Sequence, residues 1–210
     1  MKNIMHSNNL IAEENREVMK SKKISAINIL ASPGAGKTSL LVKLISVLRD
    51  KVPLAVVEGD IAGSIDAERI DKLGIAVVQI NTSGGCHLDA NMIREALISL
   101  ESPEGTIIFI ENVGNLVCPA SFDLGETLRV VISSVTEGSD KPIKYPLAFE
   151  TSDLVILNKI DLIKHTDFDR EYFYKGINSV NGKKVMEISC LENIGINELA
   201  EEILKLCGKV

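Results

Sequence analysis

The stretch Ala31-Ser32-Pro33-Gly34-Ala35-Gly36-Lys37-Thr38 limits what this chain can fold into more than any other, because of what flanks it. An apolar run, Ile24 to Leu30, delivers the chain into the glycines, and a helical pattern, Ser39 to Leu48, leads it away. A strand, a glycine-rich turn and a helix in that order form a phosphate-binding loop. The turn's backbone N–H groups face inward, and the helix adds its positive N-terminal end, so that a polyphosphate is cradled there. Gly34, Ala35 and Gly36 bring backbone close to phosphate, and Lys37 reaches the β- and γ-phosphate oxygens. The Thr38 hydroxyl ligates Mg²⁺, with Ser39 beside it. Ala31 stands where the first glycine of such loops usually does.

Such a loop belongs to a sheet of βαβ units, and the rest of the chain reads that way. Leu54-Ala55-Val56-Val57-Glu58, Ile75 to Ile80, Thr106 to Ile110, Leu128 to Val135, Leu154 to Leu157 and Val185 to Ile188 are strand candidates. Several are near-continuous apolar runs without alternation, as expected of parallel strands covered on both faces. Between them lie helical patterns: a short one near Asp66 to Leu73, then Leu88 to Leu100 and Ile196 to Leu206. The expectation is an α/β, three-layer P-loop fold with a mostly parallel sheet over residues 24–210. An N-terminal amphipathic helical segment, 1–23, precedes it, with Ile4, Leu10, Ile11, Val18 and Met19 as its apolar side. Ligands then belong at the carboxyl ends of the strands. The 210 residues are 45% hydrophobic, enough for one core, and the net charge of −6 without a basic stripe argues against nucleic acid. No signal core or membrane-length apolar run is present, so a cytoplasmic protein is expected, and the four cysteines are read as core residues or metal ligands rather than disulfides.

Asn158-Lys159-Ile160-Asp161 follows the strand Leu154 to Leu157 directly. A carboxylate there accepts from guanine N1–H and N2–H₂ together, whereas adenine would leave it unsatisfied. Asp161 thus selects guanine, Asn158 bonds the other edge of the base and the Lys159 stem covers the ring. Ser189 and Cys190, after the last strand, are candidates for backbone contact to the base. Acids at strand ends supply the rest. Glu58 lies beside the phosphates, and Asp60 contacts Mg²⁺ directly or through water. Glu111 is a further Mg²⁺ candidate, Asp66 the candidate to orient water, and Gly114 an N–H near the γ-phosphate. No arginine finger stands out; Lys144 and Arg129 are the basic residues to test for that part.

Cys86 and His87 are adjacent in a glycine-bearing loop at a helix start, and Cys118-Pro119 follows Glu111 by a short loop. Both loops leave carboxyl strand ends. A helix N-terminus favours thiolate, and thiolate with imidazole suits Zn²⁺ or Ni²⁺. From spacing alone, buried cysteines and a loop-capping histidine remain the alternative reading. Cys190 and Cys207 read as structural.

Taken together the motifs resemble the HypB family, the nickel-incorporation GTPases of [NiFe]-hydrogenase maturation. The resemblance rests on Ser-Pro-Gly-Ala-Gly-Lys-Thr, Glu58-Gly59-Asp60, Asp66-Ala67-Glu68-Arg69 and Cys86-His87-Leu88-Asp89-Ala90. It extends through Glu111-Asn112-Val113-Gly114-Asn115-Leu116-Val117-Cys118-Pro119-Ala120, Thr136-Glu137-Gly138 and Asn158-Lys159-Ile160-Asp161. It implies a SIMIBI-class G domain that binds GTP with Mg²⁺ and forms a GTP-dependent homodimer. A Zn²⁺/Ni²⁺ site of Cys86, His87 and Cys118 lies at the interface of that dimer. It also implies a HypA-type metallochaperone partner and, directly or through other factors, the hydrogenase large-subunit precursor. Neither the N-terminal cysteine motif nor the histidine-rich tract of some relatives is present. Two alternatives stay open. One is a urease-type nickel maturation GTPase, although that family carries Cys-Pro-His where His87 here follows Cys86 directly. The other is a nickel storage protein with a vestigial nucleotide site.

Overall fold

The computed structural model describes residues 2–59, 73–82, 84–180 and 182–209. Of the expected helix near Asp66 to Leu73, residues 66–72 lie outside the described residues. Among the described residues seven strands form one sheet. They are β1 (Ser25–Ala31), β2 (Leu54–Glu58), β3 (Ala76–Gln79), β4 (Ile107–Glu111), β5 (Leu128–Ser134), β6 (Leu154–Asn158) and β7 (Val185–Glu187), arranged β3-β2-β4-β1-β5-β6-β7. Every neighbouring pair is parallel. β1 sits at the centre, buried throughout its length, and its carboxyl end opens into the phosphate loop.

Helices cover both faces, which accounts for strands without polar alternation. On one face α2 (Lys37–Leu48) and α7 (Ile196–Leu206) pack over Ile27, Ile29, Val56, Phe109, Val130 and Ile132. On the other, α1 (Lys2–Ser21) and α3 (Ala90–Leu100) cover Ala26, Ala55, Val57, Ile108 and Ile110. The short helices α4 (Lys141–Lys144) and α5 (Pro146–Glu150) follow β5. Phe149 of α5 and Phe173 and Ile177 of α6 (Arg170–Val180) then close this face over Val131, Val155 and Leu157. Truncating a fully buried ring such as Phe173 to alanine costs about 3–5 kcal/mol, which measures how tightly α6 is seated.

The N-terminal segment is helical as expected, but its buried stripe differs. Leu10 and Val18 are exposed, whereas Asn8, Ala12, Asn15 and Met19 point inward at helical spacing. The amides of the two asparagines bond backbone groups of Ala90, at the start of α3, and of Asp123 and Leu124, so polar side chains occupy a face that apolar counting assigns elsewhere.

Candidate nucleotide and metal site

The phosphate loop and the base loop grip each other. Gly34 and Gly36 adopt φ of +78° and +101°, the left-handed region that favours glycine. A Cβ on Gly36 would lie 2.5 Å from Asn158 Nδ2, and that nitrogen donates to Ala35 O at 2.9 Å. Lys159 Nζ donates to Gly34 O at 2.7 Å, with Lys159 itself at φ 62°. Asn158 Oδ1 in turn accepts from Lys159 N at 2.8 Å. Ser189 Oγ bonds Asp161 Oδ1 at 2.5 Å, so the carboxylate is aimed by its neighbour. Between these loops a cavity of about 460 Å³ is lined by Gly36, Ser39, Asn158, Lys159, Asp161 and Cys190, among others. A larger hollow of about 820 Å³ lies at the opposite, amino-terminal end of the sheet, between Ser25, Gly105 and Thr127, and holds none of the motif residues. The motif residues line the smaller one.

At the phosphate end Lys37 is buried, and Thr38 Oγ1 donates to Glu111 Oε1 at 2.9 Å. Glu58 and Glu111 stand in register at the ends of β2 and β4, both 1% exposed. Two buried carboxylates beside a hydroxyl are a hard oxygen donor set, which fits Mg²⁺. Gly114 presses on the phosphate loop: a Cβ there would come within 3.1 Å of Pro33. Asp60 and Asp66 lie outside the described residues. Arg129 is not available as an arginine finger, because its side chain is 12% exposed and its guanidinium is committed to Glu126 at 2.6 Å and to Ala120 O and Phe122 O at 3.0 Å each. Lys144 is exposed and pairs with Asp140 at 2.6 Å.

Cys86, His87 and Cys118 converge. Their ligand atoms all lie within 4.8 Å of one another, with Cys86 exposed and the other two half-buried. Phe122 stacks on the His87 ring at 3.8 Å between centroids. Asn115 Nδ2 donates to Cys86 O at 3.3 Å, linking the two loops directly. Burial holds the imidazole below its usual pKa, which favours the neutral form that binds metal. The expected thiolate at Cys86 is corrected: its hydrogen bond with Cys118 pushes the thiol up instead. The physical reason is that α3 begins only at Ala90, after the N-cap Asp89, so Cys86 sits too far from the helix end and beside a second thiol.

A network that the motif reading missed ties both loops to the nucleotide side. Asn112, next to Glu111, accepts from Leu88 N at 3.2 Å and donates to Asn28 Oδ1 at 3.1 Å. Asn28 donates to Glu126, which holds Arg129, which holds the Ala120 and Phe122 carbonyls. The sequence signal was Asn28 itself, a polar residue at the centre of a strand whose neighbours, Ala26 to Ala31, are otherwise apolar.

A parallel sheet that carries a phosphate loop and a base loop on its carboxyl edge makes this a P-loop nucleotide-binding domain. The family model "CobW/HypB/UreG, nucleotide-binding domain" matches residues 25–187. HypB from Azotobacter vinelandii is 49% identical over 93% of this chain and 65% of its own length, so the chain spans about two thirds of that relative. HypB of Archaeoglobus fulgidus superposes with a TM-score of 0.91 at 35% identity, covering 97% of this chain and 100% of that one. HypB of Helicobacter pylori, solved in complex with nickel, gives 0.89 at 32% identity over 97% of this chain and 96% of that one. The chain belongs to the HypB family of hydrogenase maturation factors, and its fold is the expected SIMIBI-class arrangement. Among the described residues no helix is long and apolar enough to cross a membrane.

Proposed function

We propose that this chain hydrolyses GTP and uses the nucleotide state to govern the uptake and release of nickel for hydrogenase maturation. The observation that carries the reading is that Cys118 and Glu111 share one short loop: a metal-ligand candidate lies seven residues (118 − 111) from a carboxylate bonded to Thr38. In the reaction an attacking water oxygen bonds to the γ-phosphorus as the β–γ bridging oxygen leaves with GDP. Lys37 and the amides of the phosphate loop stabilise the charge that spreads over the phosphate oxygens. Mg²⁺, when bound through Thr38 and Glu111, and through Asp60, supplies further neutralisation of those oxygens. Asp66 is the candidate to orient the water. Asp161 and Asn158 select guanine, with Ser189 and the backbone of Cys190 beside the base.

Nickel, or zinc in its place, is the cargo. Two cysteines, which lose their thiol protons on binding the ion, and one imidazole form a donor set that suits either ion, and a three-ligand set leaves a position for the next carrier or for a second copy of the chain. In this reading GTP promotes homodimerisation, a HypA-type metallochaperone is the exchange partner and the hydrogenase large-subunit precursor the final recipient. Support comes from the family membership and from the nickel-bound Helicobacter pylori relative. The assay is phosphate release. Wild type should turn over GTP and not ATP, and Lys37→Ala and Asp161→Ala should both abolish turnover. A chain that releases no phosphate from GTP would instead be a nickel-binding protein with a vestigial nucleotide site.

A further inference from the structure

Asn8 and Asn15 are among the most buried side chains of α1, at 6% and 2% exposure, and neither reaches the nucleotide or the metal cradle. Each bonds both metal-bearing segments at once. Asn15 Nδ2 donates to Ala90 O at 2.8 Å and to Leu124 O at 3.1 Å. Asn8 Oδ1 accepts from Ala90 N at 2.9 Å, while its Nδ2 donates to Asp123 O at 2.8 Å. Ala90 is three residues after His87, and Asp123 follows Phe122, the ring stacked on that histidine. The seating is close: a Cβ on Gly125 would lie 2.4 Å from Ala12 O, and Arg16 Nη2 reaches both Asp123 oxygens at 3.0 Å.

We infer that α1 is a clasp on the metal cradle, with Asn8 and Asn15 as positioning residues. They fix how far the Cys86-His87 loop stands from the Cys118 loop before any divalent ion arrives. The inference rests on reading Cys86, His87 and Cys118 as metal ligands. Buried amides that make these four bonds hold one spacing, because any other leaves the two side-chain N–H₂ groups or the Ala90 N–H without a partner. The ligands are thereby preorganised, as outer partners of metal ligands generally achieve.

The test is a Ni²⁺ titration of the full chain with GDP bound, followed by the near-ultraviolet thiolate-to-nickel absorption. GDP affinity is measured alongside. Asn15→Ala should weaken nickel by about 10- to 100-fold with GDP affinity unchanged. Asn15→Asp should be no better, since it turns an oxygen toward two carbonyls. Asn8→Asp keeps the bond from Ala90 N and should retain more affinity than Asn8→Ala, while the exposed Glu17→Ala on the same helix should match wild type. If wild type binds nickel through Cys118 and Asn15→Ala binds it equally tightly with the same absorption, the clasp is overturned. Should the asparagine variants not fold, Arg16→Ala decides the matter: weaker nickel supports the clasp, and wild-type nickel affinity refutes it. If Cys118→Ala leaves nickel binding unchanged, the metal-ligand reading itself fails and takes the clasp with it.

Discussion

The side-chain oxygen of Asn112 accepts the backbone N–H of Leu88 at 3.2 Å, so the residue after Glu111 holds the residue after His87. The strand end at Glu111 and the Cys86-His87 loop therefore meet in one buried amide. Removing it exposes what it satisfies. Asn112→Ala strands the Leu88 and Val113 N–H groups and Asn28 Oδ1, at a cost of about 2–4 kcal/mol in urea unfolding. A loss below about 0.5 kcal/mol would mean that water replaces the side chain without penalty.

Gly36 carries a second such junction, between the phosphate and base loops. Gly36→Ala requires φ near +101° and places Cβ 2.5 Å from Asn158 Nδ2. Both loops must shift. GDP binding, measured by calorimetry, should weaken by about 100-fold, roughly 2.7 kcal/mol.

In the proposed function base choice follows from Asp161. Asp161→Asn replaces a charged acceptor by an amide that can still accept from a ring N–H but donates where guanine also donates. Guanine nucleotides should lose about 30- to 1,000-fold in affinity, roughly 2–4 kcal/mol. Xanthine nucleotides, which present an oxygen at that edge, should gain. Competition binding with the two nucleotides reads both changes in one experiment.

The anchor of α1 should show in acid. Burial pushes the Asp123 carboxyl up, but the Gly125 N–H, the Arg16 guanidinium and a hydrogen bond with Glu126 outweigh it and hold the pKa below the usual value. With the folded pKa depressed, this contribution is present above the ordinary carboxylate pKa, about 4, and is lost as pH falls through the folded value. The stability difference between wild type and Asp123→Asn should therefore be full near neutrality and vanish at low pH. A difference independent of pH would show that Asp123 acts through shape alone.

Much of this was legible in the sequence, and the pattern of what was not is physical. Residues 24–30 and 154–157 declared strands, found as Ser25–Ala31 and Leu154–Asn158, because parallel strands covered on both faces need no polar alternation. The glycines and Asn158-to-Asp161 marked a nucleotide-binding domain, which the family match bears out, because their chemistry is local. Helix Ile196–Leu206 falls where its apolar spacing put it. The clasp and the network were not legible, because Asn8, Asn15, Asn28 and Asn112 acquire meaning only from partners up to 115 residues away, as with Asn8 and Asp123. The state of Cys86 failed for a related reason. Its thiol answers to Cys118, a neighbour in space, more than to the helix that follows it in the chain.

The central claim is that nucleotide state and metal affinity are coupled through the Glu111-to-Cys118 loop. Linkage requires that any change of metal affinity with nucleotide be matched by an equal change of nucleotide affinity with metal. The direct test is a Ni²⁺ and Zn²⁺ titration of wild type and Cys118→Ala, with GDP and with a non-hydrolysable GTP analogue, and light scattering on the same samples. The account predicts that metal affinity or stoichiometry differs between the two nucleotides in wild type and that the difference disappears in Cys118→Ala. Identical metal binding in both nucleotide states, untouched by the substitution, would contradict it.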